Sequence, residues 1–184
     1  MKIHALFFAV MALIFAAPSL AGDSAPISDN LQKMEPLVGR WGGVGDGLWG
    51  AAAVERVYTP FLGGEFIKGD GQSIYPKQER NPDSEIHSSM DIYSYDIENK
   101  IIVLRQFDNE GFVAAYHLDS SQGDKNTFVF ESRAMENVPE GWKARITIHF
   151  VDQDNIKETF ELDTQGEGYK VYLTSLLHRL REAE

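Results

Sequence analysis

The chain has 184 residues, a formal charge of −11 from 28 acidic against 17 basic side chains, and no cysteine. So acidic a surface repels nucleic-acid phosphates and anionic lipid headgroups, and neither is an expected partner. The missing thiols exclude disulfides, thiol catalysis and thiolate metal sites.

The N-terminus reads as an export signal. Lys2 gives a small basic region, Ala5 to Ala17 an apolar run, and Ser19-Leu20-Ala21 small residues at −3 and −1 of a cleavage site. The expectation is a signal peptide over 1–21, cleavage near Ala21, and a periplasmic or secreted domain over 22–184. The apolar run is too short to span a bilayer comfortably, and no later stretch approaches the required length.

After a flexible leader, Ser28 or Asp29 is placed to cap a short helix over Asp29 to Glu35. Leu31 and Met34 share one face of it, and Pro36 ends it. Gly39-Arg40-Trp41-Gly42-Gly43-Val44-Gly45 reads as the opening strand of a barrel. Trp41 plugs one end, and the glycines permit bending and close approach. Val54, Arg56 and Tyr58 then alternate with Ala53, Glu55 and Val57, a pattern that leaves a helix as well as a strand open. A turn is expected at Pro60 to Gly64, a strand over Glu65 to Ile74, and a long mouth loop over Pro76 to Glu85.

From Ile86 onward hairpins follow one another. Strands are predicted over Ile86 to Asp96, Ile101 to Phe107, Phe112 to Leu118, Thr127 to Ala134, Trp142 to Val151, Ile156 to Asp163 and Tyr169 to Leu180. The segment from Trp142 alternates cleanly, with Trp142, Ala144, Ile146, Ile148 and Phe150 on one face and Lys143, Arg145, Thr147 and His149 on the other. About ten strands at such spacing predict an all-β, up-and-down antiparallel barrel of the calycin or lipocalin type, wide enough to hold one small ligand.

The chemistry-bearing motifs are sparse. Gly45-Asp46-Gly47-Leu48-Trp49-Gly50 has the G-x-G-x-x-G spacing, but no βαβ unit surrounds it, so a dinucleotide site is not expected. No nucleophile elbow, P-loop or H-E-x-x-H is present. His87, His117, His149 and His178 show no metal-ligand spacing, and no metal site is expected. Arg105-Gln106 interrupts an apolar strand, so one of the two points inward. An inward Arg105 would need an anionic ligand group, or a carboxylate such as Glu131, Glu158 or Glu65. Arg105 is therefore the candidate ligand anchor, with Gln106 and Tyr116 as secondary contacts.

Gly39-x-Trp41-x-Gly43-x-Gly45 after Pro36-Leu37-Val38 resembles the opening signature of the nitrobindins, fatty-acid-binding-protein-like calycin barrels. The blocks Leu104 to Phe107, Glu110 to Val113, Glu136 to Trp142 and Glu158 to Leu162 resemble uncharacterised bacterial members of that group. The resemblance implies a ten-stranded barrel with a ligand cavity. It also implies an alternative in which haem b, held by a histidine near the C-terminus, isomerises peroxynitrite; His178 is the positional match. The expected function is binding of a small, mainly apolar or amphipathic molecule with no cofactor required. Haem chemistry is one alternative, and a solid barrel acting as an interaction module is another.

Overall fold

A computed structural model describes residues 25–181. The expected signal peptide lies outside the described residues. Ten strands follow a 3₁₀ helix over Asp29–Leu37. They are β1 (Gly39–Gly47), β2 (Gly50–Phe61), β3 (Phe66–Tyr75), β4 (Glu85–Asp96), β5 (Ile101–Asp108), β6 (Val113–Leu118), β7 (Thr127–Glu136), β8 (Lys143–Phe150), β9 (Asn155–Asp163) and β10 (Lys170–Leu180). Each strand pairs antiparallel with the next, and β10 returns to β1, so the sheet closes into a barrel. Closure satisfies every strand edge without a partner chain.

The all-β, up-and-down barrel expected from the turn spacing is what the chain forms. Gly45 to Gly50 is not a nucleotide loop but the β1–β2 hairpin: Gly47 pairs with Gly50 around the two-residue turn Leu48-Trp49. Residues 52–59, left open between helix and strand, lie within β2. That strand runs on through Pro60 to Phe61 instead of turning at Pro60. The last β1–β2 pair is Gly39 with Tyr58, so at Pro60 one side of β2 has no ladder for a missing N–H to break.

One barrel end is sealed. Leu31, Met34 and Leu37 are fully buried at spacings of three, which the three-residue turn of a 3₁₀ helix places on one side. This periodicity carries the helix through Pro36 to Leu37, past the expected end at Glu35. Ser28 occupies the N-cap but makes no side-chain cap; its carbonyl accepts from the Leu31 N–H at 2.8 Å. The fully buried Trp41 donates from Nε1 to the Leu37 carbonyl at 2.7 Å and meets Phe150 edge-on at 6.4 Å. Arg179 lies 4.2 Å over the Trp41 ring while its Nη1 and Nη2 donate to the carbonyls of Val38 and Pro36. Trp41 therefore plugs the end, as its flanking glycines suggest.

The 76–85 connection lies at the opposite end and is tied down. Gln78 Oε1 accepts from the Ala51 N–H at 2.9 Å and its Nε2 donates to the Ala51 carbonyl at 2.8 Å, while Arg80 reaches Asp46 at 2.8 Å. The outer wall is not uniformly polar. Leu176, Val44, Ala53, Ile74 and Ile86 are register partners in one exposed row across β10, β1, β2, β3 and β4.

Candidate functional site

Strand alternation sends every second side chain into the lumen. Near the sealed end those side chains are large and fill it: Phe130 packs against Tyr93 at 5.7 Å and Phe128 against Phe150 at 5.9 Å. Toward the other end, where the β1–β2 hairpin and the β5–β6, β7–β8 and β9–β10 turns lie, a cavity of about 570 Å³ remains. The expectation of a solid barrel does not describe this lumen.

Its walls are mainly apolar, with Ala114, Met135, Ile146, Phe160, Leu162 and Leu173 among the lining residues. Two polar groupings interrupt them. In the first, Arg56 on β2 reaches Glu158 on β9, two strands beyond β1, with Nη2 to Oε1 at 2.7 Å and each side chain only 11% exposed. Arg56 Nη1 also lies within hydrogen-bond distance of the Gln72 carbonyl at 3.1 Å and Ser73 Oγ at 3.4 Å. Gly71 makes room for it, since a Cβ there would come within 3.3 Å of Arg56 Cδ. Burial opposes the charge on Arg56, but Glu158, Tyr58 and Asp91 together outweigh this and raise its pKa.

The second grouping runs along one register row: Tyr58, Gly69, Asp91, Gln106 and Ala114 sit opposite one another on β2 to β6. Gln106 Nε2 donates to Asp91 Oδ1 at 3.0 Å, and the Tyr116 hydroxyl donates to Gln106 Oε1 at 3.2 Å. The Tyr58 ring covers Gly69, where a Cβ would be 2.7 Å from Cε1. Asp91 is 5% exposed, and burial pushes its carboxyl up to about 7, against the lowering effect of the Gln106 bond and Arg56. Burial likewise raises the Tyr116 phenol well above its ordinary value.

This shift has a sign that can be checked. A carboxyl whose pKa is higher folded than unfolded favours the fold in its neutral form. That contribution is complete below about pH 4 and is lost as the pH rises to about 7. Asp91→Asn keeps an acceptor for Gln106 and removes the ionisation. Relative to wild type it is expected to gain roughly 1–3 kcal/mol at pH 8 and nothing from this source at pH 4, as urea unfolding at the two pH values would show.

The mouth is aromatic and acidic. Trp49 Nε1 donates to the Tyr172 hydroxyl, and Tyr172 packs edge-on against Phe160 at 5.6 Å, its phenol pushed up to about 12 by burial. His87 lies between two carboxylates, with Nε2 3.0 Å from Glu85 Oε2 and Nδ1 2.9 Å from Glu110 Oε1. Tyr75 meets its ring edge-on at 5.3 Å.

Of the residues expected at the site, Gln106 and Tyr116 line the cavity and are hydrogen-bonded to each other. Arg105 does not. It is exposed on the outer face between Ile92 and Ala115, where its Nη1 donates to Ser94 Oγ at 2.8 Å. Leu104 and Gln106 take the inward positions, so no anion anchor exists at Arg105. The inward arginine is Arg56, paired with Glu158. His178 is also outside, exposed on β10 opposite Gly42 and Asn155. Among the described histidines only His87 lines the cavity, with both ring nitrogens facing carboxylates. The residues do not fit the haem arrangement that the resemblance implies, in which an imidazole near the C-terminus holds the iron.

Comparison with solved structures finds the same architecture in the crystal structure of Rv2717c from M. tuberculosis. The TM-score is 0.58 and the sequence identity 17%, over 84% of this chain and 99% of that one. At this identity the likeness is one of fold, and it fits a calycin-like barrel. No family model matches the chain, and no curated protein matches it.

Proposed function

We propose that this calycin-like barrel is an exported binding protein that holds one small, mainly apolar or amphipathic molecule in its lumen, without need of a cofactor. The cavity carries the reading: about 570 Å³ of mainly apolar space with a few convergent polar side chains. Small-molecule sites have that size and make-up. Interiors built for stability alone are close-packed, and voids larger than a water molecule are few.

Gln106 and Tyr116 are the proposed polar contacts, joined by Asp91 and by the Arg56–Glu158 pair. Export is supported by Lys2, the apolar run and the small residues before Gly22. The opening motif supports an origin in the nitrobindin-like, fatty-acid-binding-protein-like branch. Haem chemistry is not carried over with it, because the implied ligand His178 stands on the outer face.

Native mass spectrometry of the protein purified from its own host tests the reading. The expected result is one small molecule per chain, released by organic extraction. Protein that is always empty, and that takes up no apolar probe, would contradict it.

A further inference from the structure

Granting that the cavity takes a small molecule, the hydrogen-bond order along its wall restricts that molecule's head group. Gln106 turns its amide N–H toward Asp91 Oδ1, leaving Gln106 Oε1 to accept from Tyr116. Every donor in the chain is aimed toward Asp91. A head group arriving there meets an acceptor.

The charges lining the cavity agree. Asp91, Asp108, Glu110 and Glu158 contribute four carboxyls. Arg56 is committed to Glu158 at 2.7 Å, and Lys170 is 70% exposed and paired with Glu167 at 2.9 Å. His87, the remaining basic group of the lining, already has Glu85 and Glu110 at its two ring nitrogens. Among the described lining residues no cation is therefore left unpaired for a ligand carboxylate, which would instead sit among like charges. Beside Asp91 in the same row, the Tyr58 ring covers Gly69, so a cationic head would have an aromatic ring next to its counter-ion.

We infer that the cavity is built for an amphiphile with a positively charged, hydrogen-bond-donating head, an alkyl amine in chemical class, that Asp91 receives this head, and that carboxylates of equal length are disfavoured. The raised pKa of Asp91 fits this assignment: alone, the carboxyl is held toward its neutral form, and an arriving ammonium supplies the charge that favours ionisation.

Trp49 and Trp142 line the cavity and make their own fluorescence a reporter. The test titrates the protein at pH 7.5 with decylammonium, decan-1-ol and decanoate, each below its micellar concentration. Decylammonium is expected to bind at least about tenfold more tightly than decanoate, a difference of about 1.4 kcal/mol, with decanol between them. In Asp91→Asn the ammonium should lose about tenfold while decanol changes by less than about threefold. Decanoate binding as well as decylammonium, or an unchanged preference in folded Asp91→Asn, would overturn the inference and leave the binding reading standing. Failure of all three probes, decanol included, would overturn both. The wild-type ratio decides the matter even if the variant does not fold.

Discussion

Truncation of Glu158 to alanine is expected to destabilise the barrel by about 3–5 kcal/mol. The pair it forms with Arg56 spans the lumen at 2.7 Å, and both side chains are 11% exposed. Removing the carboxylate leaves a guanidinium only 11% exposed, with two backbone carbonyls and Ser73 Oγ around it but no directly paired carboxylate. The loss belongs to the stranded charge rather than to the pair itself. Arg56→Met combined with Glu158→Leu should therefore recover most of it, since buried ion pairs exchange for apolar residues of similar volume at little net cost. Urea unfolding of Arg56→Met, of Glu158→Leu and of the double variant forms a double-mutant cycle, and its coupling energy should be among the largest in the molecule. Three additive, small losses would show that the pair is solvated.

The second large effect sits at the barrel seam. Gly43→Ala is expected to cost about 3 kcal/mol or more, because overpacking against groups that cannot yield falls in the severe tail of single substitutions. A Cβ on Gly43 would lie 2.0 Å from the Leu176 carbonyl oxygen and 3.0 Å from the Leu177 Cα, both backbone atoms of β10. No rotamer change relieves such a contact, so β1 and β10 would have to part where the sheet closes. Its neighbour Gly42 is the control. A Cβ there comes no nearer than 3.0 Å to Leu180 Cδ1, the tip of a movable side chain. Gly42→Ala should change stability by less than about 1 kcal/mol. Thermal melts of the two variants side by side measure the difference, and equal losses would mean that glycine acts here through the unfolded chain rather than through close approach.

The architecture was legible because its signals are local. Pro139 and Gly141 mark a turn before β8, and one forms there: the Trp142 N–H donates to the Pro139 carbonyl at 3.4 Å with Gly141 at φ +87°, so it closes one residue later than a type I turn over Val138 to Gly141 would. The alternation over β8 put Ala144, Ile146, Ile148 and Phe150 inside, where they are buried. The site was only partly legible, and β5 shows why. Ile102 and Leu104 face the lumen, yet the intervening Val103 is also only 3% exposed. Apolar side chains on both faces leave the phase of the strand undetermined, and Arg105 took the place that belongs to Gln106.

On β2 the phase was readable, since Val54 and Tyr58 flank Arg56 on one face. An arginine among core residues makes sense only with its partner, and Glu158 lies 102 residues away and across the lumen. The same holds for Asp91. Its bond to Gln106 and its burial follow from register, which no short stretch of sequence specifies. His178 was singled out through resemblance, and strand phase then places it outside.

The central claim is that the lumen is a binding site. The most direct test is fluorescence titration with the neutral apolar probe N-phenyl-1-naphthylamine, in wild type and in Ala114→Trp. Ala114 is 5% exposed and lines the cavity beside Gln106, so an indole in its place would occupy the space a ligand needs. The account predicts saturable binding of one probe per wild-type chain and a loss of at least about tenfold in the folded variant, roughly 1.4 kcal/mol or more. Absence of saturable binding in wild type, or undiminished binding once the lumen is filled, would contradict it.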